Sequence, residues 1–202
     1  MGSADYDFRT VWRVAGTPEE VAGVLGDATT LPRWWPSVYL GVVPAPEPVD
    51  AARTGLPRPV ALHTKGWLPY TLRWTLTVTE PVTNHGFALT AAGDLNGTGR
   101  WTFEQDGPET VITYRWRVRA AKPILRRLSW LLKPAFAANH RWAMARGEES
   151  LALELRRRRH RDEPESVPPP PPATFARLTR IAGPMFGNHN PVNNPSPLTR
   201  RR

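Results

Sequence analysis

The chain has 202 residues, 40% of them hydrophobic, so it is long enough for one domain with a substantial core and a tail. It has no cysteine, which excludes disulfides, thiolate metal ligands and cysteine nucleophiles and fits a reducing compartment. Residues 1–155 carry 17 Lys and Arg against 15 Asp and Glu, whereas residues 156–202 carry 10 against 3. The C-terminal end therefore carries +7 of the net charge of +9, which argues against nucleic acid as a partner of the nearly neutral domain.

The N-terminal part predicts a strand, two short helices and a second strand. Side chains alternate over residues 6–14 as in an amphipathic strand. Thr17 suits an N-cap and the next position is proline, so a short helix is expected to run to about Leu25. A turn, a second short helix and a strand over 38–43 follow. The start of the chain has frequent charges and no apolar run, so we expect no signal peptide and a cytoplasmic location.

The middle of the chain predicts strands joined largely by tight turns. Five stretches show period-two alternation or strand-forming composition, namely 60–65, 70–78, 85–91, 100–105 and 110–120. The segment 93–99, GDLNGTG, is rich in glycine and asparagine and is interpreted as a turn between two of them. A meander of this kind predicts a curved antiparallel sheet with one buried face.

A long C-terminal helix is predicted over residues 135–159, which contain no proline. Residues 122–134 are interpreted as a separate apolar helical turn or two that ends at Pro134. The expected fold is α+β, with about seven strands, two short helices after the first strand, and the long helix across the concave side of the sheet. We place the domain at residues 1–159 and a proline-rich, basic tail, predicted to be disordered, at 160–202.

Several phrases carry a resemblance to a known superfamily, namely VAGVLGDATTLPRWWPSV, WLPYTLRW, GDLNGTGRWTF and NHRWAMARGEESL. With the order of elements, they make residues 5–159 resemble the START-like, or SRPBCC, superfamily, in particular its polyketide cyclase/dehydrase-like branch. The resemblance implies a helix-grip fold with a cavity between the sheet and the long helix. Members include lipid carriers, hormone receptors, aromatic cyclases and components of oxygenases. No catalytic set carries over residue by residue, and the tail lies outside the resemblance.

A ligand pocket is predicted where inward-facing rings of the sheet meet the inner stripe of the long helix. The alternative is that these rings only fill the core, but nine tryptophans and a glycine in the helix stripe favour a mostly apolar cavity. The candidate ligand-binding residues are Trp35, Tyr70, Trp74, Trp101, Tyr114, Trp116, Phe136, Asn139, His140, Ala143, Met144 and Gly147. For Trp34 and Trp35, core packing and a place at the pocket mouth are weighed equally.

His140 is the best candidate for acid or base catalysis, because histidine titrates near neutral pH. The alternative is a neutral core histidine that is hydrogen-bonded to its surroundings. The five histidines have no paired spacing and no carboxylate partner nearby in sequence, so we predict no metal site. Phosphate loops and dinucleotide fingerprints are absent from the sequence, and no cofactor is predicted.

Two functions follow from these features. In the first, the domain binds a hydrophobic, aromatic/polyketide-like or lipid-like small molecule and either only holds it or assists its cyclisation or dehydration. In the second, the protein is a peripheral module whose basic tail contacts an anionic membrane or nucleic acid. Arg156–Arg159, together with His160 and Arg161, would meet phosphates in the second case; a solvated helix end is the plainer interpretation.

Overall fold

A computed structural model describes residues 5–46, 55–120, 123–160 and 166–174. The strands are β1 (Asp5–Ala15), β2 (Tyr39–Pro44), β3 (Val60–Lys65), β4 (Thr71–Val78), β5 (Gly86–Gly93), β6 (Leu95–Asp106) and β7 (Glu109–Ala120). The helices are α1 (Pro18–Leu25), α2 (Leu31–Trp34) and α3 (Pro123–Arg159), and a 3-10 turn lies at Ala28–Thr30. This order confirms the predicted α+β fold with two short helices after the first strand.

The seven strands form one antiparallel sheet in the order β1-β7-β6-β5-β4-β3-β2. Strands from β2 to β7 pair with their neighbours in the chain, and β1 pairs with β7, where Trp12 lies opposite Ile112. The inward positions of the strands are buried and meet Met144, Leu151 and Leu155 of α3 in one core. One face of the sheet is thus covered by the long helix, as expected for a curved antiparallel sheet.

Thr17 is the N-cap of helix α1, as the sequence predicts. The Thr17 hydroxyl accepts from the Glu20 amide at 3.3 Å, and the Glu20 carboxylate accepts from the Thr17 amide at 2.9 Å. This reciprocal pair satisfies two of the amide groups that a helix N-terminus leaves free. The cap fixes the residue at which the chain leaves β1 and begins α1.

The separate helical segment that the sequence predicts before Pro134 is not present. Helix α3 is continuous from Pro123 to Arg159, with Pro134 inside it. Proline removes one amide donor and crowds one carbonyl of the preceding turn, which is a local cost of roughly 3 kcal/mol. The helix continues on both sides of that defect, so the proline interrupts one hydrogen bond without ending the element.

The predicted turn over 93–99 is also wrong, because β6 already begins at Leu95. The reversal is made at Gly93, which has a φ of +130°, and at Asp94. Gly97 and Gly99 lie inside β6, where a Cβ would overlap the backbone of Arg117 and the phenol of Tyr114. These two glycines therefore allow β7 to pack closely against β6 and do not form a turn.

The arginines at the end of α3 bind carboxylates and carbonyls of the domain. Glu154 is 1% exposed, and its carboxylate accepts from Arg33 at 2.6 Å, from Arg157 at 2.8 Å and from Arg158 at 3.0 Å. Arg159 forms an ion pair with Glu20 at 2.6 Å. A buried carboxylate requires such partners. Arg33 joins α2 to α3 through Glu154, and Arg158 and Arg159 join α3 to α1 through the Gly23 carbonyl and the Glu20 carboxylate.

Part of the segment after α3 also packs on the protein. Val167 is 8% exposed, and the carbonyl of Pro168 accepts from the Arg157 guanidinium at 3.2 Å. The remaining tail positions, 161–165 and 175–202, lie outside the described residues. The predicted disorder of those positions therefore stays a prediction. Within the part of the chain that the structure describes, no helix is both long and apolar enough to cross a membrane.

Candidate functional site

A pocket of about 180 Å³ lies between α3 and the end of the sheet where β1 begins and β7 ends. Half of its twenty lining residues carry rings, as expected for strands whose inward positions are aromatic. Its lining residues are Tyr6, Phe8, Trp35, Val38, Tyr39, Thr64, Lys65, Gly66, Tyr70, Leu72, Trp74, Leu95, Tyr114, Trp116, Val118, Phe136, Asn139, His140, Ala143 and Met144.

The helix side of the pocket is built by Phe136 and His140, which lie one turn apart on α3. The His140 ring stacks on Phe8 of β1 with the ring centroids 4.0 Å apart and an interplanar angle of 15°. Phe136 meets the rings of Tyr6 and Tyr70 edge-on at 6.0 Å and 6.3 Å. Such stacked and edge-to-face pairs fix the orientation of each ring, so this part of the wall is preformed.

The imidazole of His140 is held in its neutral form. Burial, with the Arg141 charge as a smaller contribution, lowers the pKa of His140 to about 4. Its Nε2 atom is buried and has no hydrogen-bond partner among the described residues. An unpaired buried polar atom costs roughly 1–3 kcal/mol, so a ligand that supplied a partner would recover that cost.

The tyrosines around the pocket are neutral as well. Burial, and next to it the nearby Tyr6, raises the pKa of Tyr70 to about 12. Burial also raises the pKa of Tyr6, Tyr39 and Tyr114. The Tyr6 hydroxyl is buried and, like His140 Nε2, has no partner in the described part of the chain. These hydroxyls and the His140 imidazole can therefore exchange hydrogen bonds but carry no charge at neutral pH.

Asn139 joins the helix to the loop between β3 and β4. Its Oδ1 accepts from the Trp67 amide at 2.9 Å and from the Leu68 amide at 3.4 Å. A Cβ at Gly66 would overlap the Asn139 side chain, which explains the glycine at that position. The side-chain carbonyl of Asn139 thus holds this loop at the edge of the pocket.

Gly147 and Trp35 form a contact that the sequence did not predict. A Cβ at Gly147 would overlap the indole of Trp35, which is only 3% exposed. The space left by the missing side chain is therefore filled by this indole, and Gly147 does not line the pocket. Trp34 is fully buried in the core, whereas Trp35 is both core and pocket wall.

Ten of the twelve predicted ligand-binding residues line the pocket, and Trp101 and Gly147 do not. The Trp101 ring instead stacks on Tyr114, with the ring centroids 3.9 Å apart. The sequence candidates omitted Tyr6 and Phe8, although both have the inward parity of β1. That parity could have identified them, whereas nothing local pointed to Tyr39, since its side chain is placed by the turn after α2.

No group of three or more His, Asp or Glu side chains that could hold a metal ion occurs among the residues that the structure describes. The wall of the pocket consists of rings, alkyl groups and neutral hydroxyls, with Lys65 as its single charged residue at neutral pH. Metal ions prefer clusters of carboxylates and imidazoles. The chemistry available here is apolar contact and neutral hydrogen bonding.

Comparisons with known proteins agree with this architecture. The family model described as polyketide cyclase/dehydrase and lipid transport matches residues 6–155. The Zhui aromatase/cyclase from Streptomyces sp. R1128 has a similar structure, with a TM-score of 0.58 and 15% identity over 77% of this chain and 96% of that chain. A protein of Thermus thermophilus gives a TM-score of 0.57 and 17% identity over 72% and 97% of the two chains.

The di-domain ARO/CYC StfQ from the steffimycin biosynthetic pathway gives a TM-score of 0.54 at 18% identity. The match covers 74% of this chain and 51% of StfQ, so this chain spans about half of that protein. At these identities the structural matches establish the shared fold. No curated protein sequence matches the chain.

Proposed function

The chain belongs to the polyketide cyclase/dehydrase and lipid transport family, within the START-like superfamily, and we propose that it binds a hydrophobic small molecule between the sheet and α3. The observation that carries the proposal is the pocket of about 180 Å³ with a wall of aromatic rings. Concave, mostly apolar sites with a few polar groups are typical of small-molecule binding. The rings favour a ligand of aromatic, polyketide-like character, because stacked rings add to the energy of area burial.

The charge of the wall supports a ligand whose buried part is neutral. His140 and the surrounding tyrosines are uncharged at neutral pH, and Lys65 is the charged exception. Burying an ion without a partner costs several kcal/mol. A fatty-acid-like ligand would therefore have to place its carboxylate at Lys65, whereas a phenol or a ketone could lie anywhere along the wall.

Binding is favoured over acid–base catalysis by the state of His140. With a pKa of about 4, it is protonated in about one molecule in a thousand at pH 7 and is a weak base. A cyclase is the second candidate function, favoured by the unpaired Nε2 of His140 beside the pocket. In that case most of the rate acceleration would come from holding the reactive ligand in one conformer.

The test begins with native mass spectrometry of the full chain, set against its denatured mass, and extraction of any molecule that co-purifies. A panel of fatty acids and aromatic polyketides is then titrated while tryptophan fluorescence is followed. We expect aromatic ligands to bind, and the substitution Ala143→Trp, which fills the pocket, to reduce affinity at least tenfold. Ala145→Trp, two residues further along the same helix but exposed, is the matched control.

Equal affinities for the two tryptophan variants would contradict the proposal. So would a complete lack of binding together with an unchanged melting temperature across the panel.

The end of α3 does not support the peripheral-module alternative, which then depends on the basic residues of the tail. Arg157, Arg158 and Arg159 are engaged with Glu154 and Glu20. Deletion of residues 175–202 separates the two functions, because a tail-driven interaction would disappear and would also weaken steeply with salt. We expect ligand affinity in the pocket to survive this deletion.

A further inference from the structure

A second, smaller cavity lies deeper in the domain, between the sheet and the segment that joins α1 to α2. Its volume is about 60 Å³, and Ala28, Leu76 and Leu89 contribute to its wall. No Asp, Glu, Lys, Arg or His lines it. Apolar cavities of this kind stay dry and take up apolar atoms, and since engineered ones of about 150 Å³ hold a benzene ring, this one has room for a few carbon atoms.

Only a layer of side chains separates this inner cavity from the ligand pocket. Five residues line both spaces: Trp35, Tyr39, Trp74, Tyr114 and Met144. The aromatic members are held by their neighbours. The Trp74 indole donates to the Thr64 hydroxyl at 3.1 Å, and the Tyr114 ring stacks on Trp101 at 3.9 Å. The Trp35 indole packs against Gly147, and the centroids of its ring and the Tyr39 ring are 5.2 Å apart.

Met144 is the one member of this layer without a ring. Its side chain is 5% exposed and is unbranched, with three rotatable bonds, so it changes rotamer at less cost than an indole or a phenol in a stacked cluster. We propose that the inner cavity is an apolar subsite of the ligand pocket, which receives a short alkyl group of the ligand when the Met144 side chain turns aside. This inference rests on the proposed function, because the outer pocket must hold the rest of the ligand.

The subsite selects by size and by polarity. Burial raises the pKa of Tyr39 and Tyr114, so both phenols are neutral and the cavity offers no countercharge. A group of one to three carbons would fill it, whereas a ring or a charged group would not fit. The predicted ligand is thus a ring system, held in the outer pocket, that carries one short alkyl branch.

The probes are phenol, 4-methylphenol, 4-ethylphenol and 4-propylphenol, titrated against the full chain by calorimetry. Each buried methylene contributes about a fourfold gain in affinity, so the dissociation constants of phenol and 4-propylphenol should differ by about 60-fold. Ala28→Leu places a larger side chain in the inner cavity, and we expect this ratio to fall below about fivefold. The matched control is Ala145→Leu, at an exposed position of α3, where the ratio should stay near 60.

Leu89→Phe, from the opposite wall, replaces Ala28→Leu if that variant does not fold, and it should reduce the ratio in the same way. A ratio that stays near 60 in both cavity-filling variants overturns the subsite while leaving ligand binding intact.

Xenon provides a readout that is independent of the phenols. Xenon under pressure should shift the methyl NMR signals of Leu89 and Met144 in the wild-type chain, and Ala28→Leu should remove the shift of Leu89. Absence of the Leu89 shift in the wild-type chain contradicts the inner cavity. If xenon shifts Leu89 but no phenol binds, the cavity exists and the proposed function fails, together with the subsite that depends on it.

Discussion

His140 shows how burial decides the chemistry of a single residue. Its pKa is about 4 in the folded protein, against an ordinary value of 6.5. Between these two values the unfolded chain binds a proton and the folded protein does not. The stability that depends on the neutral imidazole is therefore complete above about pH 6.5 and is lost as the pH falls toward 4.

The replacement of His140 by phenylalanine tests this pH dependence. Phenylalanine can still stack on Phe8 but does not titrate. From pH 7 to pH 4 the wild-type protein should lose on the order of 3 kcal/mol more of its free energy of unfolding than His140→Phe. Urea unfolding at a series of pH values measures the difference.

Carboxylates with lowered pKa, such as Glu20 at about 2, weaken both proteins alike on acidification and cancel in the comparison. Parallel stability curves for the two proteins would show that His140 is solvated and protonates normally.

At the scale of elements, one glycine sets the distance between α3 and the α2–β2 turn. Gly147 is the only glycine of α3 and leaves room for the Trp35 indole, which in turn contacts Trp12 of β1 at 5.6 Å. Helix propensity alone favours alanine at that position. Packing reverses the preference, because the added methyl group would overlap a ring that is held on several sides.

Gly147→Ala should therefore lower the free energy of unfolding by about 1–3 kcal/mol, despite the gain in helix propensity. Gly23→Ala is the matched control in α1: Gly23 is exposed, and an added Cβ there would meet only one Arg158 nitrogen, at 3.9 Å. That variant should raise stability by roughly 0.5–1 kcal/mol. Denaturant unfolding compares the two, and a stabilising Gly147→Ala would mean that Trp35 can move away.

For the molecule as a whole, the C-terminal boundary of the domain is the quantity to measure. The sequence predicts a boundary at 159, and this remains a prediction, as does the cytoplasmic location. Val167 is nevertheless buried, and the Pro168 carbonyl accepts from Arg157, so both residues contribute contacts to the domain. These contacts favour a boundary that lies beyond Pro168.

Truncation after residue 174 and truncation after residue 159 test the boundary. The shorter chain should be less stable by about 1–2 kcal/mol, because it loses the burial of Val167 and one hydrogen bond. Val167→Ala in the longer chain should reproduce much of that loss in urea unfolding. Equal stability of the two truncated chains would support the boundary at 159.

The sequence by itself determined the elements and their order. Alternation along the strands, the cap at Thr17 and the long helix after the last strand are local patterns, and each specifies which face of an element is buried. Because these patterns show which face of an element is buried, the sequence also identified ten of the residues that line the pocket. It failed at Pro134 and at 93–99, because a proline or a glycine has one local tendency but its effect depends on the surrounding packing.

Only the tertiary structure decided which inward side chains leave a space and which fill one. The periodicities of β6 and α3 point Trp101 and Gly147 inward like the pocket residues, yet Trp101 lines the inner cavity and Gly147 receives the Trp35 indole. The division into two cavities with Met144 between them has no local signature. Periodicity fixes the direction of a side chain, but a cavity depends on distances between segments far apart in the chain, and those are set by the packing of the whole core.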